Sequence, residues 1–308
     1  MRGAFIQSLV ALAERDPRIV LLTGDLGFTV VEDFAERFPD RFINVGVAEQ
    51  NMLGVATGLA EAGFVPFAYS IATFATMRPY EFIRNGPLLH GLPVRVVGVG
   101  SGLDYGPNGI THYALEDVAL MRAQPEMMVV VPADPDQARA AVVATADVRG
   151  PIYFRVGKGA QSIPELGGRF SPGRADILRE GRDIALIALG PAARIALDAA
   201  DLLAPLGVEA AVAVVSSFNP SPTEDIAGLL DRVPMAITVE VHYVNGGLGS
   251  FVAEVIAEHG LDVRLLRSAV HEMPRARSGS QQYLLEHYGL TSRAVVDSAL
   301  ASLALDNS

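Results

Sequence analysis

Glu49 is the residue whose surroundings most invite chemistry. It lies in the stretch Phe42 to Leu59, FINVGVAEQNMLGVATGL, where a short extended run reaches Gly46 and a small-residue helical pattern follows from about Gln50. A carboxylate at a helix start is favoured by the helix dipole and by unpaired N–H groups, so capping alone would explain it. The sharper expectation is a carboxylate held in an apolar pocket, its proton affinity raised, able to exchange a proton with a bound ring. A second glycine-rich segment, Ser101 to His112, is the longest irregular stretch of the N-terminal half. A third, Gly246-Gly247-Leu248-Gly249, could cradle an anion at the following helix start, although a tight turn is the simpler reading. His90, His259, His271 and His287 have no partners at metal-ligand spacing, and the chain has no cysteine for thiolate ligands or disulfides.

The elements that must position these groups follow from hydrophobic pattern. The chain has 308 residues, half of them hydrophobic and 19% charged, which describes a globular protein with a buried core. A net charge of −11 without a Lys/Arg cluster argues against nucleic-acid binding. The first helix is amphipathic, with Phe5, Leu9, Leu12 and Ala13 on one face, and contains Glu14 and Asp16, unlike a signal peptide. No run of roughly 20 apolar residues could span a membrane, so a cytoplasmic protein is expected.

Short apolar runs at Arg18–Thr23, Phe42–Val45, Val65–Tyr69, Val94–Val99, Met127–Val131 and Ile152–Val156 read as strands buried on both faces. Helical patterns separate them at Val30–Phe38, Ala48–Gly63, Arg78–Leu89, Leu115–Arg122 and Asp134–Ala146. From Gly157 to Arg182 no period holds, as in a linker, and a second α/β pattern runs from Ile184 to Ser268. The fold class expected is therefore α/β, with two doubly wound domains, residues 1–175 and 176–308.

In this order along one chain, VGVAEQNMLGVATGLA, ATFATMRPYEFIRN, NGITHYALEDVALMR, VVVPADPDQ and VEVHYVNGGLGSFVAE resemble the C-terminal half of transketolases. That half comprises a pyrimidine-binding domain and a smaller C-terminal domain, and the likeness runs from Arg2 to about Leu290. The family's other half carries a Gly-Asp-Gly motif for magnesium and thiamine diphosphate, which Gly24-Asp25-Leu26 does not match. The resemblance therefore implies one subunit of a split transketolase. Its partner, a diphosphate-binding subunit, would supply the Mg2+ ligands in an α2β2 heterotetramer.

By that resemblance Glu49 is the glutamate that bonds the pyrimidine N1′ and promotes the cofactor's imino form, a catalytic role. Phe74 is the aromatic face for the pyrimidine, with Tyr69 and Tyr80 as neighbours and Asp25 as a further cofactor contact; plain core packing is the alternative for Phe74. His112, in GITH, matches a histidine that contacts substrate and the donor-derived intermediate. Asn108 falls where many relatives have an Asp on a sugar hydroxyl, and Arg2, Thr29 and Lys158 fall near the acceptor's phosphate. Lys158 replaces an Arg and offers a point charge in place of a fork. Gly100 or Ser101 stands where the family has a phosphate-binding histidine, and His242 matches a structural motif of the C-terminal domain.

The activity implied is transfer of a two-carbon ketol unit from a ketose, expected to be phosphorylated, to an aldehyde. The alternatives are the beta subunit of a 2-oxoacid dehydrogenase, which passes its unit to a carrier protein, and a deoxyxylulose phosphate synthase. Arg78-Pro79-Tyr80-Glu81 and Thr111-His112 fit transketolases better than the former, and the latter is normally one longer chain. A non-catalytic scaffold is the reading from another class, and retention of Glu49, Phe74 and His112 speaks against it.

Overall fold

Continuous apolar strands, sheltered on both faces by helices, set the architecture. The computed structural model describes residues 1–159 and 161–306. Ala160, in the expected linker, and Asn307 and Ser308, at the end of the expected second domain, lie outside the described residues. The first part runs α1 (Arg2–Arg15), β1 (Ile19–Thr23), α2 (Glu32–Arg37), β2 (Phe42–Asn44), α3 (Glu49–Glu61), β3 (Val65–Ile71), α4 (Ala72–Met77) and α5 (Tyr80–Ile83). It continues with β4 (Arg95–Val99), α6 (Asp117–Arg122), β5 (Met128–Val130), α7 (Pro135–Ala144) and β6 (Ile152–Val156).

The second part starts at β7 (Ala175–Arg179) and β8 (Ile184–Leu189), followed by α8 (Ala193–Leu203), β9 (Ala210–Val215) and β10 (Ser217–Phe218). Then come α9 (Thr223–Leu230), β11 (Met235–Tyr243), α10 (Leu248–His259), β12 (Arg264–Val270), α11 (Gln281–His287) and α12 (Ser292–Asp306). Among the described residues no helix is long and apolar enough to cross a membrane.

The first sheet has the order β10-β5-β6-β4-β3-β1-β2 and is parallel except for β10; the second, β12-β11-β8-β9-β7, is parallel except for β7. In such sheets the chain reverses its direction of travel at one point, and a crevice opens there at the carboxyl ends of the strands. In the first sheet that point lies between β1 and β3, and in the second between β8 and β11.

Several elements differ from the expectations. The expected linker contains β7, an antiparallel edge strand whose residues are all only partly buried. The expected helix Arg78–Leu89 is interrupted. Past α5, Leu89 N–H reaches Arg84 O (3.1 Å), the wider five-residue spacing, around Pro87, which has no N–H to donate. The two parts also interlock, since β10 crosses over to pair with β5. One apolar cluster continues from Leu22, Met52 and Val96 to Ile187, Val215 and Val252. Gly190, at φ +48°, passes so near β5 that a Cβ there would stand 2.6 Å from Val131 Cγ1.

A buried polar network ties the halves together. Asp117 Oδ2 accepts from Tyr153 Oη (2.6 Å) and Arg155 Nε (2.8 Å), and Arg155 Nη2 donates to Ala114 O (2.7 Å) and Val241 O (3.0 Å). His242 is fully buried; Nδ1 donates to Tyr243 O (2.7 Å) and Nε2 accepts from Ala119 N–H (3.3 Å), which fixes the neutral tautomer. The glycine segment before α10 is more than a tight turn. Its N–H groups at Leu248 and Gly249 each donate to Glu240 at 2.8 Å, so the helix start already holds an internal carboxylate.

Candidate cofactor and substrate site

Glu49 is the first residue of α3 and is 2% exposed, at the β1/β3 crevice. Ser70, near the carboxyl end of β3, donates its hydroxyl to Glu49 Oε1 (3.0 Å), and Arg78 Nη1 donates to Glu49 Oε2 (2.7 Å). The expected apolar pocket is thus corrected: both carboxylate oxygens are bonded, because a buried carboxylate without partners would be costly. The fold brings Arg78 there through α4, a placement that the sequence pattern does not reveal.

A chain of ring contacts leads away from Glu49. The Arg78 guanidinium lies 3.8 Å from the centroid of Phe74, and Phe74 meets His112 edge-on at 5.1 Å. His112 is 5.9 Å from Tyr105, whose ring carries the Lys158 ammonium at 4.3 Å from its centroid. Tyr105 can lie there only because residue 100 is glycine; a Cβ at Gly100 would stand 2.0 Å from its Cε2. Burial and then the Arg78 charge lower the His112 pKa, so its imidazole favours the neutral form, and Nδ1 lies 2.9 Å from Thr111 Oγ1. Arg2 is close enough for its charge to act on the hydroxyls of both Tyr69 and Tyr105.

Not every expected residue gathers on this line. Tyr69 alternates with Ser70 along β3 and so points to the opposite face of the sheet; its buried hydroxyl and Arg2 Nε have no hydrogen-bond partner among the described residues. Tyr80 is committed to α6, donating to Leu120 O (2.8 Å) and accepting from Gln124 Nε2 (2.7 Å). Asp25, exposed, is paired with Asn44 Nδ2 at 3.0 Å. Thr29, also exposed and at φ +66°, donates its N–H to Glu32 Oε1 (2.6 Å). Asn108 is exposed on the His112 loop. Residues absent from the expected site are Ser70, Arg78 and Tyr105, although Arg78 belongs to the family-like Arg78-Pro79-Tyr80-Glu81 motif. Arg78 stands four residues after Phe74, a spacing that puts both on one helical face, and that was the available signal.

Comparison with known proteins fits this geometry. Residues 1–162 match the profile of the transketolase pyrimidine binding domain, and residues 173–295 that of the transketolase C-terminal domain. The chain belongs to the transketolase family. It is 38% identical over 299 residues to a putative transketolase C-terminal section of Methanocaldococcus jannaschii, covering 96% of this chain and 93% of the relative. It is 36% identical over 303 residues to one subunit of an apulose-4-phosphate transketolase of Actinobacillus succinogenes, covering 98% and 97%. Among solved structures, a split gene transketolase described as an inactive beta4 tetramer superposes with a TM-score of 0.90 at 40% identity, covering 99% of this chain and 98% of that one.

As a transketolase-family chain it carries large exposed apolar side chains on the segments that bear the candidate site residues. Phe28 is 74% exposed and Val47 72%, with Met77 and Ile110 also open to solvent.

Proposed function

We propose that this chain is the pyrimidine-binding subunit of a two-chain transketolase that moves a two-carbon ketol unit from a phosphorylated ketose to an aldehyde. The observation that carries the reading is the joint seat of Glu49 and Phe74 at the β1/β3 crevice. There the Arg78 guanidinium, a planar cationic N–H donor, stacks on Phe74 and donates to Glu49. A thiamine pyrimidine offers the same features, a flat face and a ring nitrogen that can share a proton with a carboxylate, so the residues present fit that group. Phe74 would supply the stacking face, worth about 0.5–1.5 kcal/mol beyond burial. Glu49 would hold or give a proton at the ring nitrogen, with Ser70 fixing its other oxygen. When bound, thiamine diphosphate supplies a carbon centre that accepts and releases the two-carbon unit.

The rest of the line serves the substrate. His112, its pKa lowered by burial, can accept a proton from a substrate hydroxyl beside the Phe74 edge. Lys158 and Arg2 would hold the phosphate end as point charge and fork respectively. Asn108 can bond a sugar hydroxyl. The lack of a Gly-Asp-Gly motif and the likeness to chains described as a transketolase subunit and a split gene transketolase support a diphosphate-binding partner carrying the Mg2+ ligands; the same reading makes the assembly α2β2 and cytoplasmic.

The test uses calorimetry with thiamine diphosphate and magnesium, on the chain alone and on its complex with that partner. The reading expects micromolar binding only in the complex, together with ketol transfer from a panel of phosphorylated ketoses. Micromolar binding by the lone chain would contradict the split site, and a complex without ketol transfer would contradict the reaction.

A further inference from the structure

The first sheet's crevice holds the Glu49 site; the second sheet's crevice, between β8 and β11, is also open. It is the floor of an interdomain cleft of about 410 Å³, within the roughly 300–1,000 Å³ of small-molecule pockets. Leu189, at the end of β8, and Val241, in β11, line it, and the chain enters α8 beside it through Pro191 and Ala192. None of Glu49, Phe74, His112 and Lys158 lines this cleft.

Two deeply buried polar side chains on its wall are left with bonding capacity. Arg155 is 2% exposed and spends Nε and Nη2 on Asp117, Ala114 O and Val241 O, but Nη1 has no hydrogen-bond partner among the described residues. Ser101 is 8% exposed, and its hydroxyl has none either. Both residues line the cleft, and neither atom is among the sealed, unpartnered polar atoms of the described residues. Arg194 stands near the start of α8, bonded to Asp198 (2.7 Å) and 31% exposed. Free donors at the wall, the start of a helix and apolar sides from Ile163, Leu189 and Val241 make a complementary set. They suit a small molecule with an oxyanion at one end and an aliphatic body.

We propose that this interdomain cleft is a second binding site, for a small organic carboxylate or phosphate whose oxyanion sits on Arg155 Nη1 and the Ser101 hydroxyl. The cleft adjoins the candidate substrate site through Asp104 among others. Asp104 lines the cleft and accepts the Lys158 N–H at 2.7 Å, so an occupant would bear on the loop that places Lys158.

The experiment titrates the full chain with butanoate, followed by saturation-transfer NMR, and with inorganic phosphate, followed by phosphorus line broadening. It is repeated on Ser101→Ala, Leu189→Phe and Lys158→Ala. The proposal expects saturable binding of at least one probe. Loss of the Ser101 hydroxyl should weaken it about tenfold, the worth of a hydrogen bond to a charged group. Leu189→Phe, which fills the apolar wall, should abolish it, and Lys158→Ala should leave butanoate binding unchanged. Weakening in either cleft variant with Lys158→Ala unaffected supports the site. If Leu189→Phe fails to fold, Ser101→Ala decides alone. Absence of saturable binding by both probes, or binding that follows Lys158 and ignores the cleft variants, overturns it.

Discussion

Arg78 Nη1 lies 2.7 Å from Glu49 Oε2, and the same guanidinium stacks 3.8 Å from the centroid of Phe74. One side chain thus touches both groups assigned to the pyrimidine, and its charge also reaches His112.

Arg78→Ala should lower ketol transfer by about 10–100-fold, as loss of a charge-assisted hydrogen bond implies. Arg78→Lys should restore only part, since an ammonium cannot present a flat plate to Phe74. A further readout separates this role from mere packing. Burial, then Arg78, lowers the His112 pKa, so the His112 titration followed by NMR should move upward in Arg78→Ala. An unmoved titration would remove Arg78 from the site's electrostatics.

Lys158→Ala should raise KM for a phosphorylated substrate roughly tenfold or more with kcat little changed, the mark of binding lost equally in ground and transition states. An unphosphorylated analogue should be indifferent to the change. Equal losses on both substrates would detach Lys158 from phosphate binding.

Much of the fold was readable because its central strands are unbroken apolar runs. Ile19–Thr23, Ile152–Val156 and Ala210–Val215 are buried at every position, and such runs have few alternatives in an α/β chain. The antiparallel edges were not readable. Ala175–Arg179 is partly buried throughout, and Ser217–Phe218 is two residues long, so neither leaves a period to detect. At the site, Glu49 was legible from its place before a small-residue helix, whereas its partners Ser70 and Arg78 are 21 and 29 residues away and meet it only through the sheet. Tyr69 is next to Ser70 in sequence, yet strand alternation turns it to the other face.

Asp117→Asn should be strongly destabilising. Asp117 and Arg155 are 1% and 2% exposed, and removing one charge of a buried pair costs about 3–5 kcal/mol. A matching drop in the urea midpoint, with both domains melting together, is the expected result. Separate transitions for the two halves would show that this network does not couple them.

Glu240→Gln should change the slope of stability against pH. Burial raises the Glu240 pKa from 4.5 to about 7, so its contribution is present below pH 4.5 and lost as pH rises through 7. Burial lowers that of His242 from 6.5 to about 4, so its contribution is present above pH 6.5 and lost as pH falls through 4. In the overlap the two slopes oppose each other. With Glu240 removed, the melting temperature should rise more steeply with pH between about 4 and 6.5 than in the unaltered protein. A profile parallel to the unaltered one would show that these two groups do not set it.

The most direct test of the Glu49 assignment is Glu49→Gln, measured in the complex with the diphosphate-binding partner. Gln keeps the size, its amide oxygen can still accept from Arg78 and its amide N–H can donate to the Ser70 hydroxyl, but it cannot hold or give a proton at the ring nitrogen. Exchange of the C2 proton of bound thiamine diphosphate should fall by about 10²–10⁴-fold, the usual worth of a positioned acid–base group. The complex should still assemble and bind the cofactor. A helix cap alone would give the opposite pattern, near-normal exchange with about 1 kcal/mol or less of lost stability. That result would contradict the catalytic role of Glu49.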